Sequence, residues 1–256
     1  MPFSIRKGVL HAQDAAVTQV PSPNHSGAFR SPPRLIVMHY TAGGSAASSA
    51  SWLANPAAGA SAHLVIGRDG AIIQCVNLER RAWHAGRSAW QGLSDLNSHA
   101  IGIELANRGP LTWSPQGWCD ASGTTIPATE AAHRHGGPVR GWEVYPEAQI
   151  TAAIAVARAL AETYPIHEIV GHDDIAPGRK LDPGPAFDMP TFRTQVLGAS
   201  LRARVTASSL RVRSGPGLDH PVLRALPRGT PVEVTERRRD WIAIAPGQWV
   251  FAEHVA

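Results

Sequence analysis

The 256-residue chain has only two cysteines, Cys75 and Cys119. They are too few for a disulfide framework and sit in no paired-ligand spacing such as C-x-x-C, so they read as ordinary thiols, with a bridge between them as the lesser alternative. No run approaches the roughly 18 consecutive apolar residues that spanning a bilayer requires. The opening Met1-Pro-Phe-Ser-Ile-Arg-Lys7 lacks the basic-then-apolar layout of a secretory signal. The expectation is a protein that stays inside the cell, leaves it by a non-standard route to the wall or periplasm, or has lost a signal. Charged residues are scarce at 17%, while 43% are hydrophobic, which excludes both a disordered chain and a membrane protein. Lysine is almost missing: Arg supplies 22 of the 24 basic residues, leaving Lys7 and Lys180.

What charge there is lies unevenly. Residues 1–199 balance at 15 basic against 15 acidic, whereas 200–256 hold nine Arg against five acids, so the net +4 belongs to the tail. A basic patch there suits an anionic polymer such as a cell wall or a nucleic acid; a solvated Arg-rich surface fits equally well.

Residues 1–33 mix Ser, Pro, Asn and Gly and read as an extended lead-in ending at Ser31-Pro-Pro33. The apolar run Leu35-Ile-Val-Met38 reads as a buried strand. His63-Leu-Val-Ile66 and Ala71-Ile-Ile-Gln-Cys-Val76, joined by Gly67-Arg-Asp-Gly70, form a hairpin-like unit, and Ala100-Ile-Gly-Ile-Glu-Leu105 is a further strand. Residues 107–141 show no periodicity and read as a long loop, a candidate substrate-contacting wall. Apolar residues at helical spacing predict a helix over 146–164, with Pro146 at its start and Pro165 past its end. Mixed strands and helices imply an α/β fold, a mixed central sheet flanked by helices, over 34–198. Beyond 199 the chain turns to short β-like runs with Gly/Pro punctuation, a small all-β barrel at 199–256.

Three polar residues stand at the ends of apolar runs: His39, His172 and Asp182. Two imidazoles and a carboxylate leave a tetrahedral zinc with an open fourth position, as a hydrolytic site requires. Capping and surface histidines plus a turn aspartate before Pro183 are the competing reading. Glu104 interrupts a strand otherwise meant for burial, so it is either a general base or a residue on an exposed strand face. Lys180, rare in this composition and two positions before Asp182, is placed to hold an oxyanion.

The segments Ile36-Val-Met-His-Tyr-Thr-Ala42, Ala62-His-Leu-Val-Ile66, Ala82-Trp-His-Ala-Gly86, Ile101-Gly-Ile-Glu-Leu-Ala-Asn107 and the loop from Gly171-His-Asp-Asp174 to Leu181-Asp-Pro-Gly-Pro185 resemble the type-two N-acetylmuramoyl-L-alanine amidases, a superfamily that includes peptidoglycan recognition proteins. The resemblance implies zinc on His39, His172 and Asp182, Glu104 as the base that activates water, and Lys180 as the partner of the tetrahedral intermediate. It places His63, Trp83, His84 and Asn107 near substrate, although packing or strand-end hydrogen bonding would explain each. With Asp as third ligand, neither cysteine is expected on the metal. The tail, Val205-Thr-Ala-Ser-Ser-Leu-Arg-Val-Arg-Ser-Gly-Pro-Gly217 with Gly247-Gln-Trp-Val250, resembles a bacterial Src-homology-3 domain. The resemblance implies a peptidoglycan or muropeptide partner and no nucleic acid. It leaves open a recycling amidase for soluble anhydro-muropeptides, a non-catalytic peptidoglycan-binding protein, and the oligomeric state.

Overall fold

The computed structural model describes residues 2–13, 16–198, 202–234, 236–238 and 240–255. It divides into two compact units, Met1–Arg193 and Thr194–Ala256; the boundary expected at residue 199 lies outside the described residues.

The first unit is built on a six-stranded mixed sheet in the order Glu168–Gly171, Leu35–Tyr40, Ala100–Leu105, Leu64–Ile66, Ile72–Gln74, Thr18–Gln19. The first four strands run parallel, and Ile72–Gln74 turns back antiparallel to Leu64–Ile66. Leu35 to Met38 and Ala100 to Ile103 are buried on both faces, which explains why those stretches read as continuous apolar runs rather than alternating ones. Residues within the lead-in also form strands: Phe3–Arg6 pairs with Val9–Ala12, Thr18–Gln19 joins the sheet edge, and His25–Ala28 pairs with Arg80–Ala82.

Helix α1, Ala46–Leu53, starts where Ser45 Oγ accepts from the Ser48 amide at 3.1 Å. Its apolar side, Ala50 and Leu53, packs with Val65, Ile73 and Cys75. Helix α2, Glu147–Thr163, buries a side rich in alanine, including Ala153, Ala157 and Ala159. It is tied to the sheet by Gln149, whose Nε2 donates to the carbonyls of Ile66 at 2.9 Å and Ala106 at 3.0 Å. Two short helices follow, α3 at His172–Ile175 and α4 at Met189–Leu197. The stretch 107–141, expected as a loop, instead carries the antiparallel pair Thr112–Ser114 and Gly117–Cys119, and the strand Ala128–Ala131 paired with Arg140–Glu143. These strands are three or four residues long and punctuated by Gly and Pro, too short for a readable period. Cys75 and Cys119 are both buried free thiols, so the bridge between them is not made.

The second unit is all β. A five-stranded antiparallel sheet runs Val222–Pro227, Ser209–Arg213, Gln248–Phe251, Trp241–Ala245, Glu236–Arg238, beside the pair Arg202–Arg204 and Pro231–Glu233. Its core is Val205, Leu210, Val212, Leu226, Val232, Ile242 and Val250. In Ser209–Arg213 the buried residues alternate with outward arginines, the period of a sheet covered on one face. No helix among the described residues is long and apolar enough to cross a membrane.

Candidate metal centre

His39 is the fifth residue of Leu35–Tyr40, on the same face as Leu35 and Val37. Across the parallel ladder it is the register partner of Glu104, so both side chains leave that face at one level. His172 opens α3 directly after the neighbouring strand Glu168–Gly171. Asp182 arrives from the following loop, which is folded back by the Asp173 amide donating to the Asp182 carbonyl at 2.8 Å. The Gly171 amide donates to Asp174 Oδ2 at 2.8 Å, and Arg134, His133 and His135 clamp Asp173 from the Ala128–Glu143 segment. The loop that delivers two of the three donors is thus held from three directions.

The three donors meet. His39 Nδ1 lies 2.9 Å from His172 Nδ1 and 2.9 Å from Asp182 Oδ2, and His172 Nδ1 lies 3.0 Å from the same oxygen. All three residues are buried. What these atoms carry follows from the far side of each ring. His172 Nε2 lies 3.1 Å from the Ala85 carbonyl, which only accepts, so Nε2 holds a proton and the neutral ring carries its lone pair on Nδ1. His84 Nε2 faces the Ala100 carbonyl at 3.2 Å, leaving His84 Nδ1 to accept from His39 Nε2 at 3.0 Å. His39 Nδ1 therefore also presents a lone pair. Burial, then the facing His172, lowers the His39 pKa to about 4, which keeps it neutral. With both rings neutral, two nitrogen lone pairs and a carboxylate oxygen converge within hydrogen-bond distance, an arrangement that repels unless a cation is shared. Neutral imidazoles with their second nitrogens on carbonyl or imidazole partners are the usual dress of metal ligands. The residues present fit a divalent metal.

Glu104 is half-buried, and its Oε2 is buried without a hydrogen-bond partner among the described residues. Burial, then the charge of Asp182, pushes its pKa up to about 8, with the Lys180 ammonium pulling the other way. The Lys180 charge also lowers the His39 pKa, so it acts electrostatically on both groups. Glu104 forms part of a cleft of about 200 Å³ with Thr41, Gly43, Ser48, Trp52 and Leu53.

The family of N-acetylmuramoyl-L-alanine amidases matches residues 29–185, more than half of the chain. The chain belongs to this amidase family. A bacterial SH3 domain matches residues 208–256, in the all-β unit. Among curated proteins, the 1,6-anhydro-N-acetylmuramyl-L-alanine amidase AmpD of Escherichia coli is 39% identical over 138 residues, covering 53% of this chain and 58% of the relative. The chain thus spans little more than half the length of that relative. Among solved structures, an AmpD derivative superposes with a TM-score of 0.51 at 31% identity over 75% of this chain and 98% of its own. The amidase AmiD of E. coli, solved with the substrate anhydro-N-acetylmuramic acid-L-Ala-D-gamma-Glu-L-Lys, superposes with a TM-score of 0.50 at 28% identity, over 76% of this chain and 65% of its own. This amidase family is typically metal-dependent.

Within the amidase unit the four residues expected near substrate are placed differently from one another. His63 is wholly buried: its Nδ1 accepts from the Gly102 amide at 2.9 Å and its Nε2 donates to the Arg80 carbonyl at 2.8 Å. Asn107 is equally buried, Nδ2 donating to the Glu143 carbonyl and Oδ1 accepting from the Gly109 amide. In both residues every polar side-chain atom already has a protein partner. His84 lies behind His39, flat enough against the sheet that a Cβ on Gly102 would come within 2.4 Å of its ring; the glycine inside Ile101-Gly-Ile103 makes that room. Trp83 alone is exposed, its Nε1 donating to Ser26 Oγ at 2.6 Å. Residues not expected from sequence are the Asp173 clamp and the Thr41–Trp52 side of the cleft. The Ser45 N-cap ahead of Ala46-Ala-Ser-Ser-Ala-Ser-Trp52 was the available sign of α1.

Proposed function

We propose that the chain is a zinc-dependent peptidoglycan amidohydrolase that cleaves the amide between N-acetylmuramic acid and the L-alanine of the stem peptide. The observation that carries this is the convergence of three lone pairs from His39, His172 and Asp182 beside the unpartnered Oε2 of Glu104. Zinc, when bound by these three residues, supplies a Lewis acid and lowers the pKa of water to roughly 7. Glu104 takes the proton of the attacking water on Oε2 and returns it to the departing alanine nitrogen. Its unpartnered Oε2, buried beside the donor triplet, leaves an oxygen free to accept and return that proton. Lys180, whose charge acts on both Glu104 and His39, is the residue we assign to hold the negative charge that develops on the attacked carbonyl oxygen. His84 fixes the tautomer of His39, His63 packs against His84, Asn107 holds the strand end, and Trp83 is the exposed member of this set, open to substrate. We assign the chemistry to residues 34–198, and to 199–256 a wall-binding role suited by the arginines of that unit.

A second reading within the same chemistry, a recycling amidase for soluble anhydro-muropeptides, is favoured by the name of the E. coli relative and by the compound bound to AmiD. A non-catalytic peptidoglycan-binding protein is disfavoured, since all three donors, Glu104 and Lys180 are in place. Digestion of purified sacculi and of soluble anhydro-muropeptides side by side, with a chelator-treated control and mass spectrometry of the products, decides among them. Zinc-dependent release of stem peptides with an L-alanine N-terminus from sacculi supports the first reading, release from the soluble substrate only supports the second, and binding without release refutes both.

A further inference from the structure

The cleft beside Glu104 has an unequal lining. Thr41 and Ser48 offer hydroxyls, Gly43 offers backbone, and Trp52 supplies a broad apolar face that is 58% exposed. A solvent-facing indole in the last turn of a helix that buries Ala50 and Leu53 is not explained by packing. Nor is it loosely carried. Ser22 Oγ donates to the Leu53 carbonyl at 2.6 Å, and Asn24 Nδ2 donates to the carbonyls of Asn55 at 2.8 Å and Ala60 at 3.0 Å. Both tethering side chains belong to buried residues, and both precede the part of the chain that matches the amidase family. The end of α1 is thereby fixed before any ligand arrives, so little ordering is left to oppose binding.

The lining also restricts what fits. The one charged group is Glu104, and no cation is among the lining residues, which disfavours the carboxylate-bearing end of a stem peptide. An aromatic plate with hydroxyls at its edge matches a neutral ring that has an apolar C–H face and a polar rim. At about 200 Å³ the space admits roughly one such ring, below the roughly 300–1,000 Å³ of pockets that enclose a whole small ligand. We propose that Trp52 is a specificity-determining residue that stacks on the pyranose of an N-acetylated sugar, so that the sugar half of the substrate lies against α1. This assignment rests on the amidase reading and adds to it the side of the site that receives the glycan.

The test compares two substrates with the same scissile amide, an N-acetylmuramoyl-L-alanyl peptide and an N-lactoyl-L-alanyl peptide from which the pyranose is missing. For Trp52→Ala, KM on the sugar-bearing substrate is expected to rise roughly ten-fold, the worth of one well-placed aromatic anchor. Its kcat stays within about two-fold, and the ringless substrate shows no change in KM. Trp52→Tyr restores most of the loss. Equal KM changes on both substrates, or none on either, overturn the proposal. Saturation-transfer NMR on zinc-loaded full-length protein with N-acetylmuramoyl-L-alanine separates the two ideas. If neither substrate is turned over yet the sugar-ring protons receive saturation from wild type and not from Trp52→Ala, the hydrolase reading fails and the stacking stands. Undiminished ring saturation in Trp52→Ala overturns the stacking whatever the turnover.

Discussion

Replacing His84 tests the proton arrangement that makes the centre a metal site. His84 touches no donor atom directed at the metal; it accepts from His39 Nε2 at 3.0 Å and passes its own Nε2 proton to the Ala100 carbonyl at 3.2 Å. In His84→Ala the buried His39 Nε2–H loses its acceptor, at a cost of about 1–3 kcal/mol. The ring escapes that cost by moving its proton to Nδ1, where Asp182 Oδ2 waits at 2.9 Å. That tautomer blocks a ligand, so zinc affinity is expected to fall by about 10–100-fold, typical of lost outer-shell partners, or about 1.4–2.7 kcal/mol. His84→Asn, whose Oδ1 stands where Nδ1 stood, should recover most of the affinity. The assay is competition for zinc against a chromophoric chelator at fixed pH, with turnover measured at saturating zinc to show that the loss lies in binding. A His84→Ala affinity within about two-fold of wild type refutes the tautomer reasoning.

Zinc removal should lower the melting temperature of the amidase unit alone. Free metal at about 1,000 times Kd contributes about 4 kcal/mol, which is roughly ten degrees for a domain of this size; calorimetry with and without chelator reads it, and coincident melts argue against the site. Glu104→Gln should keep zinc, by elemental analysis, while turnover drops by about 10²–10⁴-fold; retained turnover removes Glu104 from the proton transfer. In zinc-free protein the raised Glu104 pKa makes the protonated form the favoured folded one, so its stabilising effect is complete below about 4.5 and drains away as pH rises to about 8. Urea titrations should therefore show Glu104→Gln gaining on wild type across that interval and the gap levelling above it, whereas a constant gap contradicts the assignment. Glu143, buried between Arg68 at 2.6 Å and Arg108 at 3.2 Å, also accepts the Arg108 amide. Glu143→Ala should cost about 3 kcal/mol, the low end for breaking a buried pair because both arginines are partly exposed, as measured by urea unfolding; an unchanged midpoint rejects it.

The strands that carry the chemistry were legible because they are buried on both faces. Ala100–Leu105 has the bounds its apolar run suggested, Leu35–Tyr40 extends two residues beyond Met38 to include His39, and α2 begins and ends within a residue of the span set by its two prolines. Short elements were less visible: α1 is mostly Ala and Ser, and α3 is four residues of polar loop sequence held by contacts from 133–135 that no local pattern announces. The donor triplet is legible in His39 and His172 at the ends of apolar runs and in the family-like loop that holds Asp182, and the structure brings its atoms together. Sequence alone could not separate His84, which supports a donor, from His63 and Asn107, whose polar atoms are partnered inside, since that distinction depends on partners 16 to 45 positions away.

His39 lies on one strand and His172 directly follows its parallel neighbour, 133 positions further along the chain. Leu35–Tyr40 is laid down early, but it has no second ligand until Glu168–Gly171 docks along it and the loop to Asp182 closes. If zinc is held as proposed, its capture is a clock for folding: a zinc-sensitive signal during refolding dates the docking of Glu168–Gly171, whatever other probes report about the rest of the sheet.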